Sequence, residues 1–247
     1  TMKSYLNAKL ILFKKVLRKN SIVISDKEIK PFSIIKKISN QKNFKLIDIS
    51  KEFVNIKNTF LFSGSDFKIK NLAMAIKAVK LSGFKNKMIY RTIKKIKDVD
   101  GRLELVKRFQ NGIKVYIDYA HTPDALLKTL SSLKKDYGDK ISLVFGCGGD
   151  RDQKKRPLMA KIAGNYCKKI YITDDNPRNE NPKKIREELS KHIAKNKVQN
   201  IGNRKLAIKT AIQNATLKEV VLIAGKGHEE QQIYKNKILK ISDKKII

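Results

Sequence analysis

Four short apolar runs punctuate the second half of the chain: Val115-Tyr116-Ile117-Asp118, Ile141-Ser142-Leu143-Val144-Phe145, Ile170-Tyr171-Ile172-Thr173 and Val220-Val221-Leu222-Ile223-Ala224. Each has the length of a buried strand rather than of a helix. Between them lie amphipathic segments near 123–136, 155–168, 182–195 and 203–216, several opening after Pro or Asn as helix N-termini do. Such alternation implies a mostly parallel sheet covered by helices on both faces. Ligands bind such sheets at the carboxyl ends of the strands, so function is expected just after each run.

Ahead of about Val99 the texture is less regular. Met2 to Phe13 reads as a helix, with Tyr5, Leu12 and Phe13 sharing an apolar face. Between Ser21 and Ser63, runs such as Ser21-Ile22-Val23-Ile24 and Phe44-Lys45-Leu46-Ile47-Asp48-Ile49 alternate with polar, Asn-rich turns and predict small strands. A further helix is expected over about Asn71 to Leu81, stopped at Gly83, a natural left-handed C-cap.

At 247 residues and 41% hydrophobic content, the chain can bury the core of one large or two ordinary domains. No run approaches the roughly 18 apolar residues of a membrane span, and no basic-then-apolar leader opens the sequence, so a cytoplasmic location is expected. The first residue is Thr1 and a helical pattern starts at once, which reads as entry in mid-protein. Cys147 and Cys167 leave no disulfide framework and no four-thiolate metal site. The net charge of +33 raises nucleic acid or another polyanion as a partner. Lysine is spread from Lys3 to Lys245 with no Arg-rich block or Cys/His finger, which favours a solvated lysine surface and keeps a basic binding module as the runner-up.

The segments after the four runs change the picture. They are Asp118-Tyr119-Ala120-His121-Thr122-Pro123-Asp124-Ala125-Leu126, Gly146-Cys147-Gly148-Gly149-Asp150-Arg151-Asp152, Asp174-Asp175-Asn176-Pro177-Arg178 and Gly225-Lys226-Gly227-His228-Glu229. Glycines there let backbone approach a ligand, carboxylates hold an amine or a ribose, and the arginines can fork onto a carboxylate or phosphate. Any one of these is more often just a turn. Four at equivalent positions point to a site for a polar, zwitterionic or phosphorylated molecule.

Together with Lys155-Arg156-Pro157-Leu158-Met159 and Tyr5-Leu6-Asn7-Ala8-Lys9, these segments resemble the Mur ligases, and within them the branch that adds the third amino acid of the peptidoglycan stem peptide. The resemblance implies an α/β fold in which residues 1–99 form the end of the central ATPase domain and 100–247 a Rossmann-like C-terminal domain with a mostly parallel sheet. No Gly-x-x-x-x-Gly-Lys-[Ser/Thr] phosphate loop occurs in the sequence, so the chain is expected to hold part of an active site and to have no turnover alone. The implied reaction is amide ligation: ATP phosphorylates the free carboxylate of UDP-N-acetylmuramoyl-L-alanyl-D-glutamate, and the amine of the incoming amino acid displaces the phosphate, with Mg2+ neutralising the phosphate charge.

By resemblance, Lys9 corresponds to the lysine whose carbamate helps hold magnesium, Asn71 to an adenine-proximal asparagine, Arg102 to the nucleotide-reaching arginine of a Gly-Arg-x-Glu linker and Asp118 to a ribose contact. His121 either lines the nucleotide pocket or holds its own turn. One departure precedes Asn71: Gly64-Ser65-Asp66-Phe67-Lys68-Ile69-Lys70-Asn71 has one extra residue after the glycine and Lys68 where the family carries Asn. Asp175-Asn176-Pro177-Arg178 matches the version that takes meso-diaminopimelate, with Arg151, Gly225 and Glu229 at the other contact positions. An arginine fork suits the distal carboxylate that diaminopimelate has and lysine lacks. The lysine-adding enzyme and folylpolyglutamate synthase are the nearest alternatives, and a monomer is expected of the full-length protein.

Overall fold

The computed structural model describes residues 2–59, 66–96 and 98–247 and divides the chain into two compact units, Thr1–Ile96 and Lys97–Ile247. Gly64 and Ser65, part of the departure ahead of Asn71, lie outside the described residues.

In the first unit, α1 (Met2–Ile11) runs into a π-helical turn, Leu12–Val16, closed by the Leu17 N–H donating to the Leu12 carbonyl at 3.0 Å. Its inner face differs from the expected one. Leu6, Leu10, Phe13 and Leu17, spaced four, three and four apart, pack on Val23, Ile35, Ile38 and Phe44, while Tyr5 and Leu12 are exposed. Strands β1 (Ile22–Ser25) and β2 (Lys45–Asp48) pair in parallel. The segments flanking β2 are helices, α2 (Phe32–Lys42) and α3 (Ser50–Thr59), which corrects the expectation of strands and turns alone. Ile35, Ile38 and Ser39 form the buried stripe of α2, and Asn43, read as a turn residue, is its left-handed C-cap at φ 54°. Helix α4 (Asp66–Leu81) starts earlier than expected but ends where predicted, before Gly83 at φ 91°. With α5 (Asn86–Ile93) it buries Ile69, Ala73, Ile76, Ile89 and Ile93 against Ile49 and Ile56.

The second unit follows the predicted alternation. Its elements are β3 (Glu104–Arg108), β4 (Lys114–Asp118), α6 (Pro123–Tyr137), β5 (Ile141–Phe145), α7 (Lys155–Tyr166), β6 (Lys169–Ile172), α8 (Pro182–Ser190), β7 (Val198–Asn200), α9 (Arg204–Gln213), β8 (Val220–Ala224), β9 (Gln231–Tyr234), β10 (Lys237–Lys240) and α10 (Asp243–Ile246). The six-stranded sheet has the order β3-β4-β8-β5-β6-β7, all parallel except the β3–β4 pair, and β9–β10 form a separate antiparallel hairpin. Every residue of β5 and β8 is buried. Both their faces are covered, which explains why they read as unbroken apolar runs. Helices α6, α7 and α8 pack side by side. On the opposite face Ala207, Ile208 and Ala211 of α9 pack on Val115, Ile117, Val144, Tyr171, Val221 and Ile223.

Register then positions the site. Asp118 pairs with Ala224 and Phe145 with Ile172, so the last residues of β4, β8, β5 and β6 lie at one level and their loops leave the same edge. No described helix is long and apolar enough to cross a membrane.

Candidate functional site

The loops after β5 and β6 lie directly on each other. The Gly149 N–H donates to the Asn176 carbonyl at 2.9 Å, and a Cβ on Gly149 would stand 1.9 Å from the Pro177 carbonyl oxygen, closer than any side chain allows. Arg156, 2% exposed at the start of α7, supports this crossing from below. Its Nη2 donates to both oxygens of Glu180 at 2.8 Å, its Nη1 donates to Glu188 at 2.8 Å, and Glu180 Oε1 accepts the Asp150 N–H at 2.7 Å. The loop bearing Arg151 therefore rests on a buried ion pair. Arg151 itself is exposed, with no hydrogen bond or ion pair among the described residues.

Asn176 is the joint between this crossing and the loop after β8. Its buried Oδ1 accepts from Lys226 Nζ at 3.1 Å and from the Ile233 N–H at 3.0 Å, and its Nδ2 donates to Glu229 Oε2 at 3.4 Å. Lys226 is 0% exposed and also donates to Glu229 Oε2, at 3.3 Å. A buried ammonium persists only where acceptors replace water, and here both acceptors are predicted site residues.

Asp175 is handled differently. It is 9% exposed, yet its carboxylate accepts no hydrogen bond among the described residues. Its Oδ2 lies 2.7 Å from where a Cβ of Gly225 would stand, and Gly225 has φ 111°, a backbone conformation that favours glycine. Arg178 occupies the left-handed region at φ 52° and donates from Nη1 to the Gly149 carbonyl at 2.9 Å and the Asn176 carbonyl at 3.3 Å. Its Nε and Nη2 make no hydrogen bond among the described residues, which leaves one edge of the fork for an anion. Pro177 is buried beneath the crossing. An anion-seeking fork and an unsatisfied carboxylate within one loop suit a ligand that carries both charges.

Beside this lies an aromatic group. Tyr119 donates to Glu229 Oε1 at 3.3 Å and is flanked by the Arg102 guanidinium 4.5 Å from its ring centre, His121 at 4.6 Å and His228 at 5.8 Å. Burial and the Glu229 charge raise the Tyr119 phenol above its ordinary value, keeping it a donor. Arg102 and His121 are exposed, and His121 Nδ1 donates to the Tyr119 carbonyl at 2.9 Å, a local turn bond. Asp118 is buried. It accepts the Leu103 N–H at 2.6 Å and the Ala120 N–H at 2.7 Å, so it holds the turn that presents Arg102. Burial raises its pKa, opposed by those two amides and by Arg102.

The structure thus brings Arg102, Asp118, His121, Arg151, Asp175, Asn176, Pro177, Arg178, Gly225 and Glu229 to the carboxyl edge of one sheet. Lys9 and Asn71 belong to the first unit: Lys9 is exposed on α1 with Nζ 5.4 Å from the Tyr5 ring centre, and Asn71 is exposed on α4. Neither cysteine is paired or accessible, and burial pushes the Cys147 thiol up to about 12. Lys226 and Arg156 stood inside motifs read from the sequence but were given no role of their own, and Gln232 and Tyr234 were not singled out at all. Arg156 carried a signal, since it shares the face of α7 with Met159, Ala160 and Ala163 at three, four and seven residues on.

Residues 101–227 match the family described as Mur ligase, glutamate ligase domain. The UDP-N-acetylmuramoyl-L-alanyl-D-glutamate--2,6-diaminopimelate ligase of Rickettsia typhi is 36% identical over 270 residues, covering 100% of this chain and 54% of its own length. The protein of that name from Buchnera aphidicola subsp. Acyrthosiphon pisum is 44% identical over 182 residues, covering 73% of this chain and 36% of its own. A solved structure of a ligase with this name superposes with TM-score 0.57 at 26% identity, over 100% of this chain and 55% of that one. Mycobacterium tuberculosis folylpolyglutamate synthase complexed with ADP, at 13% identity, shares the fold with TM-score 0.66 over 83% and 52%. The chain spans about half the length of the Rickettsia typhi relative. With its six-stranded sheet, its four-loop edge and these matches, the chain belongs to the Mur ligase family.

Proposed function

We propose that this chain carries the amino-acid acceptor site, and part of the nucleotide site, of an ATP-dependent ligase that joins meso-diaminopimelate to UDP-N-acetylmuramoyl-L-alanyl-D-glutamate in peptidoglycan synthesis. The observation that carries the reading is the pairing, in one loop, of a half-free Arg178 fork with an Asp175 carboxylate that accepts no hydrogen bond among the described residues. In this reading Arg178, with Arg151, takes the distal carboxylate of the acceptor. Asp175, Asn176 and Glu229 hold its ammonium groups, Gly225 admits the ligand to the backbone, and Pro177 fixes the loop's shape. Diaminopimelate, with its distal carboxylate, leaves no charge stranded in such a site, whereas lysine leaves the fork unpaired.

For the nucleotide, Arg102, His121 and Asp118 of the second unit supply a guanidinium, an imidazole and the turn beneath them; the role of adenine contact given to Asn71 of the first unit rests on the family resemblance alone. Residues 1–99 are then the C-terminal part of the central ATP-binding domain and 100–247 the C-terminal domain. ATP supplies activation of the acceptor-seeking carboxylate, and the chain's own residues supply position and charge. Among the described residues no group of three or more His, Cys, Asp or Glu side chains converges as a metal cage. That fits Mg2+ held mainly by phosphate oxygens and water, with a carbamate on the exposed Lys9 as one anionic oxygen donor. The reading implies a cytoplasmic protein. Calorimetric titration of the chain with meso-diaminopimelate and with L-lysine tests it: preferential binding of diaminopimelate is expected, and equal affinity for the two would overturn the assignment of the acceptor.

A further inference from the structure

The Asp174–Arg178 loop does not hold itself. Arg178 sits at φ 52°, a conformation that non-glycine residues keep only where their surroundings enforce it. The enforcement comes from β9, which begins beyond the segment that the family description matches, 101–227. Three consecutive β9 residues reach alternate residues of the loop. Gln232 Nε2 donates to the Asp174 carbonyl at 3.0 Å, the Ile233 N–H donates to Asn176 Oδ1 at 3.0 Å, the Arg178 N–H donates to the Ile233 carbonyl at 3.0 Å, and the Tyr234 hydroxyl donates to Asp174 Oδ2 at 2.9 Å. These ties run to Asp174, Asn176 and Arg178, while Asp175 between them lies against Gly225.

The joint is built rather than incidental. All four residues of β10 are exposed, and the one buried residue of the hairpin is a glutamine, Gln232 at 2% exposure. An amide is buried at that position because its hydrogen bond to Asp174 replaces water. The Asp174 carboxylate also pairs with Arg186, whose Nε donates to Asn200 at 2.7 Å, so the same carboxylate links the hairpin to α8 and β7.

We propose that β9 is a splint for the acceptor loop and that Tyr234 is a positioning residue, which fixes the orientation of Asp175 and Arg178 toward the acceptor amino acid through Asp174. The proposal rests on the reading of this loop as the acceptor site. It predicts that removing one hydroxyl, which is bonded to Asp174, weakens acceptor binding out of proportion to its effect on stability.

The test compares four forms of the chain: unsubstituted, Tyr234→Phe, Arg178→Ala and Thr216→Val, the last breaking a hydroxyl bond to Glu219 at the far end of the sheet. Affinity for meso-diaminopimelate is measured by calorimetry, thermal stability by unfolding, and amide exchange at residues 176–179 by NMR. Expected for Tyr234→Phe is a three- to tenfold rise in Kd with faster exchange at 176–179, while Thr216→Val lowers the melting temperature at least as much and leaves Kd within twofold. If Tyr234→Phe keeps its Kd while Arg178→Ala loses binding, the splint is wrong and the acceptor reading stands. Equal losses in Tyr234→Phe and Thr216→Val overturn the splint as well. If the unsubstituted chain does not bind, or Arg178→Ala binds normally, the acceptor reading itself fails and the proposal with it.

Discussion

The two ends of the six-stranded sheet are built to different rules. At the amino end Glu219 is 2% exposed and closed on every side: it accepts from the Ser142 hydroxyl, from the Thr216 N–H at 3.0 Å and from the Thr216 hydroxyl at 2.7 Å, with Lys168 at 3.7 Å. At the carboxyl end Asp175 is nearly as buried and has no donor among the described residues. Left-handed non-glycine backbone occurs at both ends, at Asp150 and Arg178 (φ 52°) here and at Lys218 (φ 59°) beside Glu219, but this end also has Arg156 Nε and Arg204 Nη1 buried without a partner among the described residues. Open polar groups cost stability, and proteins keep them where a ligand completes the arrangement. One end of the sheet holds the fold and the other is arranged for recognition.

The sharpest way to break this contrast is Arg178→Ala. Stripping a guanidinium from a desolvated carboxylate costs about 2–4 kcal/mol, roughly 30- to 1,000-fold in affinity. Calorimetry should show that loss for meso-diaminopimelate and a smaller one for lysine, which has no distal carboxylate to strand. Arg178→Lys should recover only part of it, since a point charge does not reproduce the fork.

The opposite result is expected from Glu219→Ala. Leaving the Ser142 hydroxyl and the Thr216 N–H buried without an acceptor should lower unfolding free energy by about 3 kcal/mol in denaturant titrations. Affinity for diaminopimelate in the folded protein should not change.

Acid should act on the same end. Burial raises the Glu219 pKa, but bonds from Ser142 and Thr216 and the charge of Lys168 outweigh it, so the folded value lies below the ordinary 4.5. A depressed carboxylate contributes stability above its unfolded pKa and loses it as pH falls through the folded one. The stability gap between the unsubstituted chain and Glu219→Gln should therefore narrow as the pH is lowered from 4.5 through the depressed folded value.

The smallest effect is expected at Arg151. Exposed and without a hydrogen bond or ion pair among the described residues, it should change stability by less than about 0.5 kcal/mol when replaced by alanine. Its loss should weaken diaminopimelate binding by less than about tenfold if it only assists Arg178.

What was legible in the sequence follows from burial. Strands β5 and β8 are enclosed on both faces, so Ile141–Phe145 and Val220–Ala224 announced themselves with their observed boundaries. The edge strand Val198–Asn200 and the exposed Lys237–Lys240 have no apolar signature to read. Helix α2 was missed because its buried stripe includes Ser39, and its asparagines imitate a turn. At the site, the local motifs after each strand were readable. The partners that hold them were not, because Lys226 meets Asn176 across 50 residues and Tyr234 meets Asp174 across 60, and such pairings leave no periodicity.

Mapping the binding surface by NMR tests the contrast most directly. The 15N-labelled chain is titrated with meso-diaminopimelate and amide shifts are followed at both ends of the sheet. The account predicts saturable shifts at 146–152, 174–178 and 225–229, with the amides of Ser142, Thr216 and Glu219 unmoved. Shifts concentrated at the Glu219 end, or spread evenly over the lysine-rich surface, would contradict it.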